Sequence, residues 1–166
     1  DWPSADRGRH VGYVPQNVEL FPASVADNIS RFGLGAECDL FHSTQLVGAH
    51  ELILALPNGY DTIVGPNGMH LSAGQKQMLG LARALYGAPK LLLLDEPTAN
   101  LDETARSNAI KAMKQFVTEG GIILVATHDG QLLDEVGMVF RVANGTITAH
   151  SRDHSSPSMN VTKIRS

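Results

Sequence analysis

Several classes of protein are excluded by what this sequence lacks. Its 166 residues include one cysteine, Cys38, so neither an internal disulfide nor a cysteine-rich metal site can form, and a reducing, cytoplasmic setting is expected. The 13 Lys and Arg are outnumbered by 17 Asp and Glu, and the net charge of -4 argues against a nucleic-acid partner. The longest apolar runs, at 91–94 and 122–126, are far shorter than the ~20 residues that cross a bilayer.

A phosphate-binding loop is missing as well. Such a loop ends in Gly-Lys-Ser/Thr, and every lysine of this chain follows a residue other than glycine. The sequence opens with Asp1-Trp2-Pro3 and has neither an initiator methionine nor the basic-then-apolar pattern of a signal peptide. We therefore expect the chain to begin inside a domain.

The patterns that are present are those of strands alternating with helices. The composition, 43% hydrophobic and 18% charged, is typical of a globular domain. Apolar runs predict strands, while apolar residues at helical spacing behind the N-caps Ser24, Ser72 and Asp102 predict helices. Strands are expected at 11–14, 91–94 and 122–126, and helices at about 24–32, 37–55, 72–86 and 102–119. Strands buried on both faces and joined by helices imply a parallel sheet.

The end of the chain has a different character. Segments 138–142 and 146–149 flank Asn144-Gly145, a pattern typical of a β-hairpin at a sheet edge. The tail from 151 to 166 is rich in Ser and charge and has no amphipathic period, so it is predicted to be disordered.

Two adjacent carboxylates follow the apolar run at 91–94. Ligands of open parallel sheets bind at the carboxyl ends of the strands. Asp95 is therefore expected to face Mg²⁺, a cation that prefers oxygen ligands, and Glu96 to polarise an attacking water. An isolated Asp-Glu pair is more often a solvated strand end, so the neighbouring motifs decide between the two interpretations.

Three further features accompany the acidic pair. Segment 71–75 places a small turn on a helix N-terminus, where free N–H groups attract anions, although alone it predicts only a structural cap. Gln16 offers an uncharged amide just past the first strand. His128, after the strand at 122–126, can hydrogen-bond a transferring phosphoryl group. A lone glutamine or histidine in a loop usually has no function, so the order of all these features is what matters.

That order resembles the second half of the ABC ATPase domain, over roughly residues 1–150. The Q-loop, signature, Walker B, D-loop and H-loop of that family would be, in chain order, Gln16, Leu71-Ser72-Ala73-Gly74-Gln75, Asp95-Glu96, Ala99-Asn100-Leu101-Asp102 and Thr127-His128.

The resemblance implies an α/β fold: a partial P-loop NTPase with a mostly parallel sheet flanked by helices. The truncated ABC ATPase domain would span 1–150, with a helical subdomain inserted at 22–89 and a C-terminal β-hairpin. The Walker A region, with its phosphate-binding loop, would lie upstream of Asp1. Residues 151–166 would form the tail.

The resemblance also implies roles for individual residues. Asp95 and Gln16 would hold Mg²⁺. The catalytic residues would be Glu96 as the base, His128 at the γ-phosphate, and Gln16. ATP held by a partner subunit would be contacted by the signature and D-loop residues Ser72, Ala73, Gly74, Gln75 and Asp102. The implied cofactors are ATP and Mg²⁺, and the implied activity is ATP hydrolysis.

Two segments look like bacterial exporters of the type I protein-secretion group, namely 12–21 and 56–62. This implies that ATP hydrolysis powers export, at the cytoplasmic face of a bacterial inner membrane. The implied partners are a second ABC ATPase domain, in a homodimer as the first expectation, and a transmembrane domain fused N-terminally. A periplasmic adaptor and an outer-membrane channel would complete the export path.

Two alternatives remain at this point. A soluble, non-transporting ABC ATPase could use the same motifs to regulate a macromolecular partner. The chain could also be an inert fragment that is inactive and unable to bind ATP by itself, because it has no Walker A motif. The sequence departs from the family pattern at Ala73, where a second glycine is usual, and at 65–68, where exporters often have a glutamate.

Overall fold

Short strands and helices alternate along the chain. The computed structural model describes residues 8–33, 37–66, 68–143 and 146–151. The chain divides into two compact units, residues 1–127 and 128–166. The elements of the first unit are β1 (Val11–Val14), β2 (Ala23–Ser24), α1 (Val25–Ser30), α2 (Glu37–Leu46), α3 (His50–Leu54), a 3₁₀ turn (Gly59–Asp61), β3 (Ile63–Val64), α4 (Ala73–Leu85), β4 (Leu91–Asp95), α5 (Glu103–Thr118) and β5 (Ile122–Ala126). Those of the second unit are α6 (Gly130–Asp134), β6 (Met138–Ala143) and β7 (Thr146–Ser151).

The largest sheet contains the three strands that the apolar runs predict. Its order is β1-β4-β5 and all its pairings are parallel, with Val14 opposite Leu94 and Asp95 opposite Ala126. The carboxyl ends of the three strands therefore lie along one edge. The expected α/β fold with a parallel sheet is confirmed. A short antiparallel pair, β2 with β3, forms a separate sheet.

One face of the parallel sheet is packed and the other is open. Val14, Leu92 and Leu94 are buried, and a Cβ on Gly12 would overlap the carbonyl oxygen of Ala84, so strand β1 lies directly against helix α4. On the opposite face, the exposed fractions of Tyr13, Ile122 and Leu124 are 57%, 66% and 60%. The prediction of burial on both faces is therefore wrong for β5, where Ile122 and Leu124 are exposed. In β4, Leu91 and Leu93 on that face are partly buried.

The predicted N-caps are present. Ser72 and Gln75 form a full capping box at the start of α4, and the carboxylate of Asp102 accepts from the amide of Ala105 at the start of α5. At α1, the hydroxyl of Ser24 accepts from the amide of Asp27. These caps satisfy N–H groups that have no partner within the helix.

The helical segment predicted at 37–55 is interrupted. Helix α2 ends at Leu46 and α3 begins at His50. Gly48 between them has φ +74°, and a Cβ there would lie 2.6 Å from Nδ2 of Asn108 in α5. A glycine is required because the backbone is left-handed and another helix approaches it closely.

The second unit contains the predicted hairpin. Strands β6 and β7 are antiparallel, with Ala143 opposite Thr146. The tail was predicted to begin at Ser151, but this residue is the last of β7. The predicted turn at Asn144-Gly145 and residues 152–166 of the tail lie outside the described residues. Among the described helices, none has the length and apolar character needed to span a bilayer. The assignment of 22–89 as a subdomain within 1–150 stays a prediction.

Candidate active site

The carboxyl edge of the parallel sheet brings together most of the residues singled out in the sequence. Asp95 ends β4 and Glu96 follows it, Gln16 lies two residues past β1, and Thr127 directly follows β5. Asp95 and Glu96 are partly buried, whereas Gln16 is exposed. Because neighbouring parallel strands end together, an amide, two carboxylates and a hydroxyl share one edge.

Glu96 is held in an uncommon conformation. Its φ of +47° lies in the left-handed region, which non-glycine residues rarely adopt. Its N–H donates to the carbonyl of Ala126 at 2.8 Å, so the strand pairing continues one residue past β4. Its carboxylate accepts from Oγ1 of Thr127 at 3.2 Å. The orientation of Glu96 is thus determined by hydrogen bonds of both its backbone N–H and its carboxylate.

Two residues next to Glu96 had no role in the sequence analysis. Thr127 was noted only as the neighbour of His128, although its place after β5 was a usable signal. Gln77 is 1% exposed, and its Nε2 donates to the carbonyls of Pro97 at 3.1 Å and Glu96 at 3.4 Å. The signal that could have identified Gln77 is a polar residue among the buried positions of α4.

The signature segment forms the start of α4. The hydroxyl of Ser72 accepts from the amide of Gln75 at 3.2 Å, and Oε1 of Gln75 accepts from the amide of Ser72 at 2.8 Å. Ser72 and Ala73 are exposed, while Gly74 and Gln75 are partly buried. The Ser72 hydroxyl proton remains available for an acceptor in front of the helix, where the helix dipole favours negative charge.

The D-loop segment joins Glu96 to α5. Asn100 has φ +63° and Leu101 is buried. The carboxylate of Asp102 is exposed and accepts from the amide of Ala105 at 2.8 Å. Asp102 therefore has a structural role as N-cap, and its contact with a nucleotide stays a prediction.

His128 is the first residue of the second unit and is exposed. It follows Thr127 directly in the chain, and its role at a phosphate stays a prediction. Within the described ranges, no group of three or more His, Cys, Asp and Glu side chains is arranged to hold a metal ion.

The donor set at the sheet edge nevertheless fits Mg²⁺. This ion usually keeps several waters and takes one or two carboxylates together with phosphate oxygens, so three protein carboxylates are not needed. Asp95, at the end of β4, has a carboxylate, and Gln16, just past β1, has an amide oxygen. Bound there, Mg²⁺ would neutralise charge on phosphate oxygens.

Comparison with known proteins gives consistent matches. Residues 2–99 match the family described as ABC transporter. The type I secretion system ATP-binding protein PrsD of Rhizobium meliloti (strain 1021) is 44% identical over 149 residues, which are 89% of this chain and 26% of that protein. The cyclolysin secretion/processing ATP-binding protein CyaB of Bordetella pertussis is 40% identical over 126 residues, 75% of this chain and 18% of CyaB.

A eukaryotic relative likewise matches most of this chain with a small part of its own length. ATP-binding cassette sub-family B member 6 of Rattus norvegicus is 34% identical over 145 residues, 86% of this chain and 17% of that protein. The chain thus spans at most 26% of the length of these three relatives.

The family match covers more than half of the chain. Strand β4 of the parallel sheet ends at Asp95 and is followed by Glu96, the acidic pair of the Walker B motif in the resemblance. The chain therefore belongs to the ABC transporter family and has the P-loop NTPase fold of that family's ATP-binding domain.

Proposed function

We propose that this chain supplies the Walker B and signature half of an ATPase that powers export through a bacterial transporter of the type I secretion kind. The observation on which this depends is the geometry of Glu96, a carboxylate held at the carboxyl edge of the sheet beside Asp95. The identity of 44% to PrsD supports the exporter assignment.

In this proposal Glu96 acts as the general base of hydrolysis. The hydrogen bond from Thr127 engages the carboxylate at Oε2, and the carboxylate so held would accept a proton from an attacking water. General-base assistance is worth about 10²–10⁴ in rate, or roughly 3–5 kcal/mol of barrier. Asp95 and Gln16 would hold Mg²⁺, and His128 would donate to the charge that develops on the phosphoryl oxygens.

The signature would act on ATP held by a second ABC ATPase domain. Ser72 and Ala73 are exposed at the start of α4, so the positive end of this helix faces outward. The phosphates of ATP held by a second subunit would be suited to that position. ATP would then bring two such domains together, and hydrolysis through Glu96 would allow them to part.

An exposed aromatic pair includes Phe21, a residue that the resemblance to type I exporters implies is near the transmembrane domain. The rings of Phe21 and Phe32 meet edge to face with centroids 5.6 Å apart, and both are 58% exposed. Asn28, 1% exposed, donates to and accepts from the main chain of Phe21, which fixes the segment rigidly. A Cβ on Gly65 would lie 2.8 Å from the carbonyl of Phe21, so the loop after β3 lies beside it. We infer that this surface docks the cytoplasmic end of a transporter's membrane domain.

The hydrolysis proposal is tested with Glu96→Gln in the full-length gene product. We expect ATP turnover to fall at least about 10²-fold while MgATP binding is retained, because the amide keeps the shape of the side chain but cannot take a proton. Glu51→Gln, at an exposed glutamate of α3, is the control and should leave turnover unchanged. Unchanged turnover in Glu96→Gln would contradict the proposal.

The docking proposal has a separate test. In membranes containing the full-length protein, Phe21→Ser should uncouple export of the secreted substrate from ATP hydrolysis, with basal hydrolysis retained. Phe140→Ser, at an exposed phenylalanine of β6, is the matched control. Export that is equally efficient in both variants would exclude the aromatic pair as the docking surface.

A further inference from the structure

Gln77 is a buried polar residue that the hydrolysis proposal does not use. It lies in α4 between Lys76 and Met78, and its exposed fraction is 1%. Burying an amide group without hydrogen bonds costs several kcal/mol, so its partners determine whether it is tolerated. Both partners are main-chain carbonyls of the turn after β4, at Glu96 and Pro97.

The orientation of the Gln77 amide follows from its partners. A carbonyl oxygen can only accept a hydrogen bond, so the NH₂ group of the side chain, with two donors, must face the two carbonyls. The distances are 3.1 Å to Pro97 and 3.4 Å to Glu96. Gln77 therefore holds two consecutive peptide groups at once.

These contacts fix the peptide that follows Glu96. The peptide before Glu96 is already fixed, because its N–H donates to Ala126 in β5. The carbonyl of Glu96 accepts from Ala99 at 3.1 Å as well as from Gln77. With both flanking peptides held, the left-handed φ of +47° is retained and the direction of the Cα–Cβ bond is determined.

We propose that Gln77 is a positioning residue for ATP hydrolysis: its amide holds the turn that orients the Glu96 carboxylate. The proposal rests on the function of Glu96 as the base. Gln77 also lies less than two helical turns from Ser72, at the end of α4 that would meet the ATP of the partner subunit. A shift of this helix on contact with that ATP would therefore reach the Glu96 carboxylate of the same chain.

The test is a double-mutant cycle in the full-length gene product. Gln77→Met keeps the length of the side chain and removes both donors. We expect it to lower kcat for ATP about tenfold, with KM for MgATP changed by less than about twofold. In a Glu96→Gln background, the same change should leave the residual single-turnover rate unaltered, because Gln77 acts through Glu96.

A matched control separates positioning from stability. Leu79→Ala is at another position of α4 that is 1% exposed, and its side chain is apolar. It should slow both backgrounds by the same factor through loss of folded protein. If Gln77→Met does not fold, Gln77→Asn replaces it, because this change keeps the amide but shortens the side chain. We expect Gln77→Asn to lower kcat at least about threefold, and to have no effect in the Glu96→Gln background.

The outcomes are distinct. If Gln77→Met slows the Glu96→Gln protein as much as the parent, Gln77 is a structural residue and the inference is overturned. An unchanged kcat in Gln77→Met and Gln77→Asn overturns it too. If Glu96→Gln alone leaves turnover unchanged, the proposed function itself has failed, and the inference fails with it.

Discussion

Gly74 lies directly against the main chain of Asn100: a Cβ built on Gly74 would come within 2.6 Å of the Asn100 carbonyl oxygen. The start of α4 and the loop between Glu96 and Asp102 are therefore in van der Waals contact through backbone atoms. Together with the hydrogen bonds of Gln77, this contact connects two segments of the chain. One is the start of α4, which we propose contacts ATP held by a partner subunit. The other contains Glu96, which we propose acts in hydrolysis of the ATP held by its own subunit.

The Gly74–Asn100 contact leaves no room for a side chain. We expect Gly74→Ala to lower the free energy of unfolding by about 1–3 kcal/mol, since the backbone must shift to accept the methyl group. Gly130→Ala is the control, because Gly130 is also at the start of a helix but has nothing within 4 Å of its Cβ position. That change should be neutral or stabilising by up to about 1 kcal/mol. Urea unfolding of the 166-residue chain measures both, and equal effects would contradict the steric argument.

Thr127 provides a second test of the site. Thr127→Val removes the hydroxyl that donates to the Glu96 carboxylate while keeping the branched shape. A hydrogen bond to a charged group contributes about 1.5–3 kcal/mol, so we expect kcat for ATP in the full-length gene product to fall about tenfold or more. Thr127→Ser keeps the hydroxyl and should stay within about threefold of the parent. If the serine variant is as slow as the valine variant, the methyl group matters rather than the hydrogen bond.

Tyr60 joins three elements of the first unit. Its hydroxyl lies 2.6 Å from Oγ1 of Thr44 in α2 and 2.9 Å from Nδ1 of His50 in α3. Tyr60→Phe should therefore lower the free energy of unfolding near neutral pH by about 1–2 kcal/mol. Tyr13→Phe, at an exposed tyrosine of β1, is the control and should have little effect.

The contribution of Tyr60 also depends on pH. Burial raises the pKa of Tyr60 above its ordinary value, and the hydrogen bond with Thr44 offsets this only partly. A raised pKa in the folded state means that this stabilisation is fully present below the unfolded pKa of about 10 and is lost as pH rises through the folded value. The urea midpoint of the parent should fall more steeply than that of Tyr60→Phe above about pH 10. Parallel pH profiles would refute this.

The open face of the parallel sheet exposes apolar side chains of β5. Ile122 and Leu124 are each at least 60% exposed and lie on the same face of β5. Exposed apolar patches favour association, so we expect the 166-residue chain to self-associate with rising concentration. Leu124→Lys should reduce the association seen by sedimentation without lowering the urea midpoint. Val117→Lys, at an exposed valine of α5, should have a smaller effect, and equal effects would exclude the sheet face as the cause.

Much of the site could be predicted because it depends on local sequence. The run Leu91-Leu92-Leu93-Leu94 predicts a strand, and the residues directly after a parallel strand lie at its carboxyl edge. The position of Asp95 and Glu96 at that edge therefore follows from the sequence alone. Ser72 and Gln75 are three residues apart, so their capping box is also local.

Other parts could not be predicted. The split between α2 and α3 occurs at Gly48, where Asn108 of a distant helix approaches the backbone. Helical periodicity continues across the break, so the pattern of apolar residues alone indicated one segment. The open face of β5 was missed for a related reason: a continuous apolar run fits burial on one face as well as on two.

The sequence by itself determined where the strands and helix caps fall and which polar groups follow the strands, because these depend on residues within one or two turns of each other. Only the tertiary structure decided what orients Glu96. Its partners Gln77 and Thr127 are 19 and 31 residues away, and a hydrogen bond over such separations forms only when packing brings donor and acceptor to about 3 Å.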